Sequence, residues 1–322
     1  MKIFNALLAA LVLAAMSGEA SAQTYPSRTV TIVVPAAPGG GIDLSARWIA
    51  AELTTALGKT FVVENKGGAS GILGSQQVAR AEPDGHTLLV TLSGFLVTSP
   101  ALFNSLPWDP VKDFAPVSML WSSPHVVVVN KESPINSLSD LIAYGRANPG
   151  RLTYGSPGIT SETHIGSEMF GQLAGVKVIP VPYRGTGPAF NDLLAGQLGF
   201  FLNTMQQLMG PLQANTIKGL AIANPTRHPQ LPNIPTTAEA GLPGLLVDSW
   251  YGVYAPAGTP RDIVDRLAGE IKKITERPDF KARVDKSGVT MSYKGPDEFG
   301  KYTAQQVVRW NETIPKLNIP KQ

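Results

Sequence analysis

Apolar positions along the chain alternate between two periods. Short runs rich in β-branched residues, Thr29–Val34 (TVTIVV), Thr60–Glu64 (TFVVE) and His86–Leu92, read as strands. Between the first two, Asp43 to Leu57 sets Ala46, Ile49, Leu53 and Leu57 on one helical face, and Gly58 supplies the stop. Gly71–Ala81 reads as the next helix. The repeated order of strand, loop and helix predicts a parallel sheet covered by helices.

A second unit starts at the valine run that follows His125. Ser137 is placed to cap a helix over Leu138–Asn148, with Asp140 in the first turn, where the helix dipole favours an anion. Leu152–Tyr154, Lys177–Val181, Gly199–Leu202 and Ile217–Ala223 read as strands, separated by helices that begin near Ser161 and Gly187. The proline-rich stretch from Pro225 to Pro235 reads as a connector. Beyond it, Trp250–Ala255 is a strand, and Thr259-Pro260 predicts a cap followed by proline at the first helical position. That helix runs to about Glu276; Pro278 opens a short one and Pro296 a last one to about Trp310. Two α/β units with repeated passage of the chain between them fit a two-lobed plan.

The first residues follow neither period. Lys2 gives a basic start, Ile3 to Met16 is almost wholly apolar, and Ala20-Ser21-Ala22 has the small-x-small pattern that signal peptidase reads. An export signal over residues 1–22, cleaved before Gln23, is therefore expected, and the apolar run is short for a retained anchor. The chain has no Cys, which excludes disulfides, thiol nucleophiles and thiolate metal sites, so the fold rests on its core. The net charge of +3 is scattered along helices, with no basic run to suggest a nucleic-acid surface.

Four glycine-rich loops carry the candidate chemistry, each at the carboxyl end of an expected strand, where open α/β sheets bind ligands. The first holds Gly39, Gly40, Gly41, Ile42 and Asp43; the second Gly67, Gly68, Ala69 and Ser70. The third adds hydroxyls, with Ser156, Gly158, Thr160 and Ser161, and the fourth holds Tyr183, Arg184, Gly185 and Thr186. Glycine lets the backbone approach a ligand closely while unpaired amides of the helix start point at it. Any one of these loops alone could be only a tight turn; Ser161 could only cap, and Asp43 could only answer the dipole. Nucleotide patterns fail in detail. Leu44 and Phe190 stand where a dinucleotide fingerprint needs its third glycine, and Leu53 replaces the first glycine of a P-loop. No G-x-S-x-G elbow is present. His164 and Glu168, one helical turn apart, are two potential metal ligands, short of the three or four a zinc site needs. No cofactor is implied.

These motifs together resemble a known family. Pro35 to Arg47 (PAAPGGGIDLSAR), Glu64 to Gly71 (ENKGGASG), Ala147 to Gly158 (ANPGRLTYGSPG), Val181 to Ala189 (VPYRGTGPA), Leu231 to Gly244 and Trp250 to Pro260 are similar, in order, to the solute receptors of tripartite tricarboxylate transporters, the Bug or TctC proteins. The resemblance implies a periplasmic Venus-flytrap protein of type II-like build, each lobe a mixed sheet flanked by helices. The expected partition is residues 1–22 signal, 23–124 first lobe, 125–223 second lobe and 224–322 completion of the first with the C-terminal helices. It further implies a monomer that delivers a small carboxylate (a di- or tricarboxylate, an acidic amino acid or an aromatic acid) to membrane permease subunits. In the family the first two loops hold one carboxylate, partly through ordered water, and the third and fourth contribute from the second lobe.

Two departures stand out. Asn203 replaces an Asp frequent in the family, which removes a like charge facing an anion and leaves an amide able to donate. The segment Gln213 to Lys218 also differs. Ser93, beside the expected cleft with Gly94, Phe95 and Leu96, joins the candidate lining. Two other functions use the same loops: a sensory partner of a membrane kinase, and an enzyme with Asp43 as base, which would lack an acid partner, nucleophile or cofactor.

Overall fold

A computed structural model of the protein describes residues 25–317 and 319–322; the export signal expected over 1–22 lies outside them. Among the described residues no helix is long and apolar enough to cross a membrane.

Strand β1 (Val30–Val34) is buried at four of its 5 positions, as a strand covered on both faces must be. After it come α1 (Gly41–Leu57), β2 (Phe61–Asn65), α2 (Ile72–Ala79) and β3 (Thr87–Leu92). β1 pairs in parallel with β2 on one side and β3 on the other. α1 buries Ile42, Ala46, Ile49 and Leu53 and ends at Gly58, whose φ of 67° supplies the left-handed stop. α2 starts at Ile72, after the expected Gly71, because Ala69 and Ser70 hold φ of 46° and 54° and Gly71 holds 85°, which a right-handed helix excludes. A one-turn π-helical segment, Gly94–Thr98, and α3 (Ser99–Leu102) then lead to β4 (Phe114–Asn130).

β4 is 17 residues long and begins at Phe114, well before the expected His125, because its early half alternates with prolines and serines that hide the pattern. The second lobe follows with α4 (Leu138–Ala147), β5 (Leu152–Ser156), α5 (Glu162–Ala174), β6 (Val178–Pro182), α6 (Thr186–Leu194), β7 (Phe201–Thr204), α7 (Met205–Gln213) and β8 (Ile217–Ile222). The chain then returns through β9 (Asp248–Pro256), α8 (Arg261–Glu276), α9 (Pro278–Lys286), β10 (Thr290–Lys294) and α10 (Pro296–Thr313). α7 and β10 escape the sequence reading. Gly210-Pro211 looks like a helix break, and β10 is a partly exposed edge strand without clean alternation. α8 takes Pro260 as its N-cap and starts at Arg261, while Thr259 Oγ1 turns back to Pro256 O at 2.8 Å.

One strand serves both lobes. From Phe114 to Pro124, β4 pairs antiparallel with β9, and Ser122 and Trp121 pair with β10. From His125 onward it lies between β7 and β8. β9 closes the first sheet by pairing antiparallel with β3. At the switch, His125 N donates to Val247 O at 3.0 Å, Ala223 N to His125 O at 2.8 Å and Val247 N to Ala223 O at 3.0 Å. Burial pushes the His125 imidazole down to about 3, so the hinge histidine is neutral.

The first lobe's core joins Val30, Ile32, Leu53, Trp121 and Tyr251 to Leu267, Ile271, Phe280 and Val284 of the returning helices. The second lobe's core joins Val127, Leu138, Tyr154, Phe170 and Phe200 to Leu242, Leu245 and Val247. Residues 224–247, expected to start the return to the first lobe, therefore pack on the second, since Leu242, Leu245 and Val247 join its core and Leu231 and Ile234 pack beside β8.

Trp121 is fully buried against Trp48, Tyr251 and Phe280, and its Nε1 donates to Ser45 Oγ at 3.2 Å. Trp121→Ala is expected to cost about 3–5 kcal/mol of unfolding free energy in urea denaturation; a loss below about 1 kcal/mol would show the cluster is not central to the core.

Candidate functional site

The four glycine loops come together across the space between the lobes, in two facing pairs. The first faces the fourth: Ala37 N donates to Arg184 O at 3.0 Å. A Cβ on Gly187 would lie 2.3 Å from Pro38 O, and one on Gly40 would lie 2.4 Å from Thr186 Oγ1. The second faces the third: Thr160 Oγ1 donates to Ser70 O at 2.9 Å, and a Cβ on Gly158, whose φ is 137°, would meet Ser70 Cα at 2.8 Å. Thr98 Oγ1 of the first lobe adds a bond to Thr160 O at 2.6 Å. The lobes are thus closed on each other, and the glycines are what permits backbone to meet backbone.

Helix capping separates the loops by role. α4 and α5 are capped in the ordinary way, by Ser137 Oγ and by Ser161 Oγ, the latter accepting from His164 N at 3.1 Å. α1 follows Gly40 and α6 follows Gly185, and neither has a side-chain cap. Their first-turn amides have no intrahelical partner. The positive ends of two helices from opposite lobes therefore meet where Gly40 touches Thr186, an arrangement that favours a negative charge between them.

Several expected residues act on the protein itself. Asp43 is buried; its Oδ2 accepts from Gly39 N at 3.0 Å and Arg47 Nε at 3.1 Å, and its Oδ1 from Asn65 Nδ2 at 3.0 Å. Burial raises this carboxyl's pKa, but the bonds from Arg47, Gly39 and Asn65 outweigh it and hold the group below the usual range. Asp43 braces the first loop, and both its oxygens are engaged. Ile42 sends its side chain into the core and leaves only its amide for the loop. Asn203 accepts from Thr163 Oγ1 at 3.1 Å and donates to Gln207 Oε1 at 2.6 Å, while Gln207 Nε2 holds Thr186 O at 3.2 Å. The amide thus steadies the start of α6. Tyr183 directs its hydroxyl to Asp192 Oδ2 at 2.6 Å. Ser93 Oγ bonds Glu162 across the lobe boundary and accepts from Trp250 N at 3.1 Å.

Other polar groups near Gly41 were not foreseen. A Cβ there would lie 2.6 Å from Tyr251 Oη, 3.0 Å from Thr204 Oγ1 and 3.4 Å from Gln206 Oε1. The Tyr251 hydroxyl is fully buried and makes no well-formed hydrogen bond. Thr204 and Gln206 follow a strand's carboxyl end and share the positional signal of the loops. Tyr251 sits within β9, where nothing local marks it.

A cavity of about 620 Å³ opens between the lobes, lined among others by Ala69, Ser70, Ser156, Gly158, Tyr183 and Arg184. A larger one of about 850 Å³ lies on the first lobe around Trp108 and Asp113, away from all four loops. Among the described residues no three His, Asp or Glu side chains converge as metal ligands.

A family model described as the tripartite tricarboxylate transporter family receptor matches residues 45–319. The chain belongs to this family. Among solved structures it is similar to the periplasmic binding protein BugD, with TM-score 0.89 and 34% identity over 92% of this chain and 100% of that one. Rpa4515 of R. palustris, solved with adipate, gives TM-score 0.88 and 32% identity over 92% and 100%. MatC of Rhodopseudomonas palustris, solved with bound malate, gives 0.84 and 34% over 89% and 99%. The protein is accordingly a TctC-type solute-binding receptor with the two-lobed periplasmic-binding-protein fold expected from its sequence.

The Gly187 contact yields a test of closure. Gly187→Ala places a methyl against Pro38 O in the closed form and nowhere harmful in an opened one, so small-angle scattering is expected to show a larger radius of gyration than wild type. An unchanged radius would mean the two loops do not need the glycine to meet.

Proposed function

We propose that this receptor is exported, captures a small organic carboxylate between its lobes as a monomer, and delivers it to the permease subunits of a tripartite tricarboxylate transporter. The observation that carries the reading is the meeting of two uncapped helix starts, α1 and α6, at Gly40 and Thr186. Their amides, with the hydroxyls of Ser70 and Thr186, are donors suited to an anion without a buried cation beside it. The dicarboxylates bound by two neighbours of similar fold, adipate in Rpa4515 and malate in MatC, support the same ligand class. Closure about the His125–Val247 hinge buries the ligand and creates the surface a permease would read.

Titration of the mature protein with a panel of mono-, di- and tricarboxylates, followed by intrinsic Trp fluorescence, is expected to show saturable binding for at least one acid. Silence across the panel would overturn the carboxylate reading.

Closure also carries a proton. Glu162 of α5 is buried across the boundary against Ser93, with Asp248 and Ser249 of β9 nearby; burial pushes its carboxyl up to about 7 against the hydrogen bond from Ser93. Opening hydrates this group and returns it toward its ordinary 4.5. The closed form, having the higher value, takes up a proton between these limits. Affinity is then greatest below about 4.5, falls as pH rises and levels off above about 7. Binding isotherms across that window are expected to weaken by roughly tenfold or more in the wild type and by much less in Glu162→Gln, where Asp248, pushed up to about 6 by burial, is the titrating carboxyl left there.

A further inference from the structure

His164 and Glu168 stand one turn apart on α5, and the structure joins them through a third group. Tyr154 Oη lies 2.6 Å from Glu168 Oε1 and 2.8 Å from His164 Nδ1, and Ser156 Oγ lies 3.1 Å from the same nitrogen. Tyr154 has one proton, and the carboxylate can only accept it. The phenol oxygen is therefore left as an acceptor, so its 2.8 Å approach to His164 Nδ1 is a hydrogen bond only with the proton on that nitrogen. Burial pushes the imidazole down to about 4, which keeps the ring neutral at ordinary pH. In a neutral ring with a proton on Nδ1, Nε2 is a bare acceptor.

That nitrogen makes no hydrogen bond within the described protein, although His164 is only 6% exposed. The ring lines the interlobe cavity of about 620 Å³ beside Ser156, Gly158 and Ser70. A fixed lone pair there repels a bare carboxylate and rewards a donor. Among the described residues lining the cavity none is acidic, and Arg184 is the one that carries charge. An ammonium group would enter without a counter-ion; a hydroxyl would not need one.

Resting on the carboxylate reading above, we infer that His164 Nε2 is the specificity-determining acceptor of the site and selects hydroxycarboxylates over otherwise identical acids that lack the hydroxyl. Tyr154 and Glu168 are positioning residues: they hold the proton on Nδ1 and so keep Nε2 open.

Isothermal titration of the mature protein with matched pairs tests this: propionate with lactate, succinate with malate, and benzoate with 4-hydroxybenzoate. Wherever a pair binds, the hydroxy member is expected to bind about tenfold more tightly. In His164→Leu the ratio falls toward one, and in His164→Gln, which restores an acceptor at similar reach, it recovers. The ¹⁵N spectrum of labelled histidine adds a readout that a merely structural role would not move. Nε2 of His164 should resonate as an unprotonated nitrogen at pH 7 and shift on adding the hydroxy acid, but not its partner. A wild-type ratio near one, an unchanged ratio in His164→Leu, or a protonated Nε2 overturns the assignment while leaving carboxylate binding intact. Failure of every acid to bind would instead remove the carboxylate reading and this inference with it.

Discussion

The continuity of β4 is the constraint on which the two lobes depend. A single strand cannot slip in one lobe without moving in the other, because its first half is held by β9 and β10 and its second by β7 and β8. The three backbone bonds among His125, Ala223 and Val247 tie the passages of the chain into one narrow waist. Rotation there needs small changes at a few residues, while the cores on either side keep their packing. Register within a lobe is therefore rigid, and the relation between lobes is where freedom is left.

Closure is limited by how near two backbones can come. Ala37 and Arg184 bond directly, and Gly40, Gly158 and Gly187 leave out the atoms that would prevent it. The same omission leaves α1 and α6 without side-chain caps, so the geometry that lets the lobes meet also leaves donors unspent. Asp43, Asn203 and Gln207 hold those loops in place from behind. The donors nearest the meeting point are thus amides and hydroxyls, and Arg184, at the rim of the same cavity, is the one cation among its described lining residues.

Burial of ionisable groups gives the closed form its chemical character. Glu162 and His125 are fully buried and His164 largely so, and each is shifted toward its neutral state. Asp43 is the contrast: it keeps its charge because Arg47, Asn65 and Gly39 surround it with donors. Glu162 also receives hydrogen bonds, so what separates the two carboxyls is the Arg47 cation beside Asp43 and the heavier burial of Glu162.

Much of this was readable from residues in order. Periodicity located β1, α1, β2 and β3, Ser137 and Ser161 announced their caps, and the glycine loops marked the cleft, because those signals are local and each needs only its neighbours in the chain. The family motifs carried the fold class for the same reason, as runs of consecutive residues. What lies between distant residues was not readable. The start of β4, the packing of 224–247 on the second lobe, the bond between Ser93 and Glu162, and the Tyr154 bridge between His164 and Glu168 all depend on partners far away in sequence. A side chain's hydrogen-bond partner and its water exposure are properties of the packed structure, so it was tertiary structure that assigned Asp43 to bracing, Asn203 to support and His164 to the cleft.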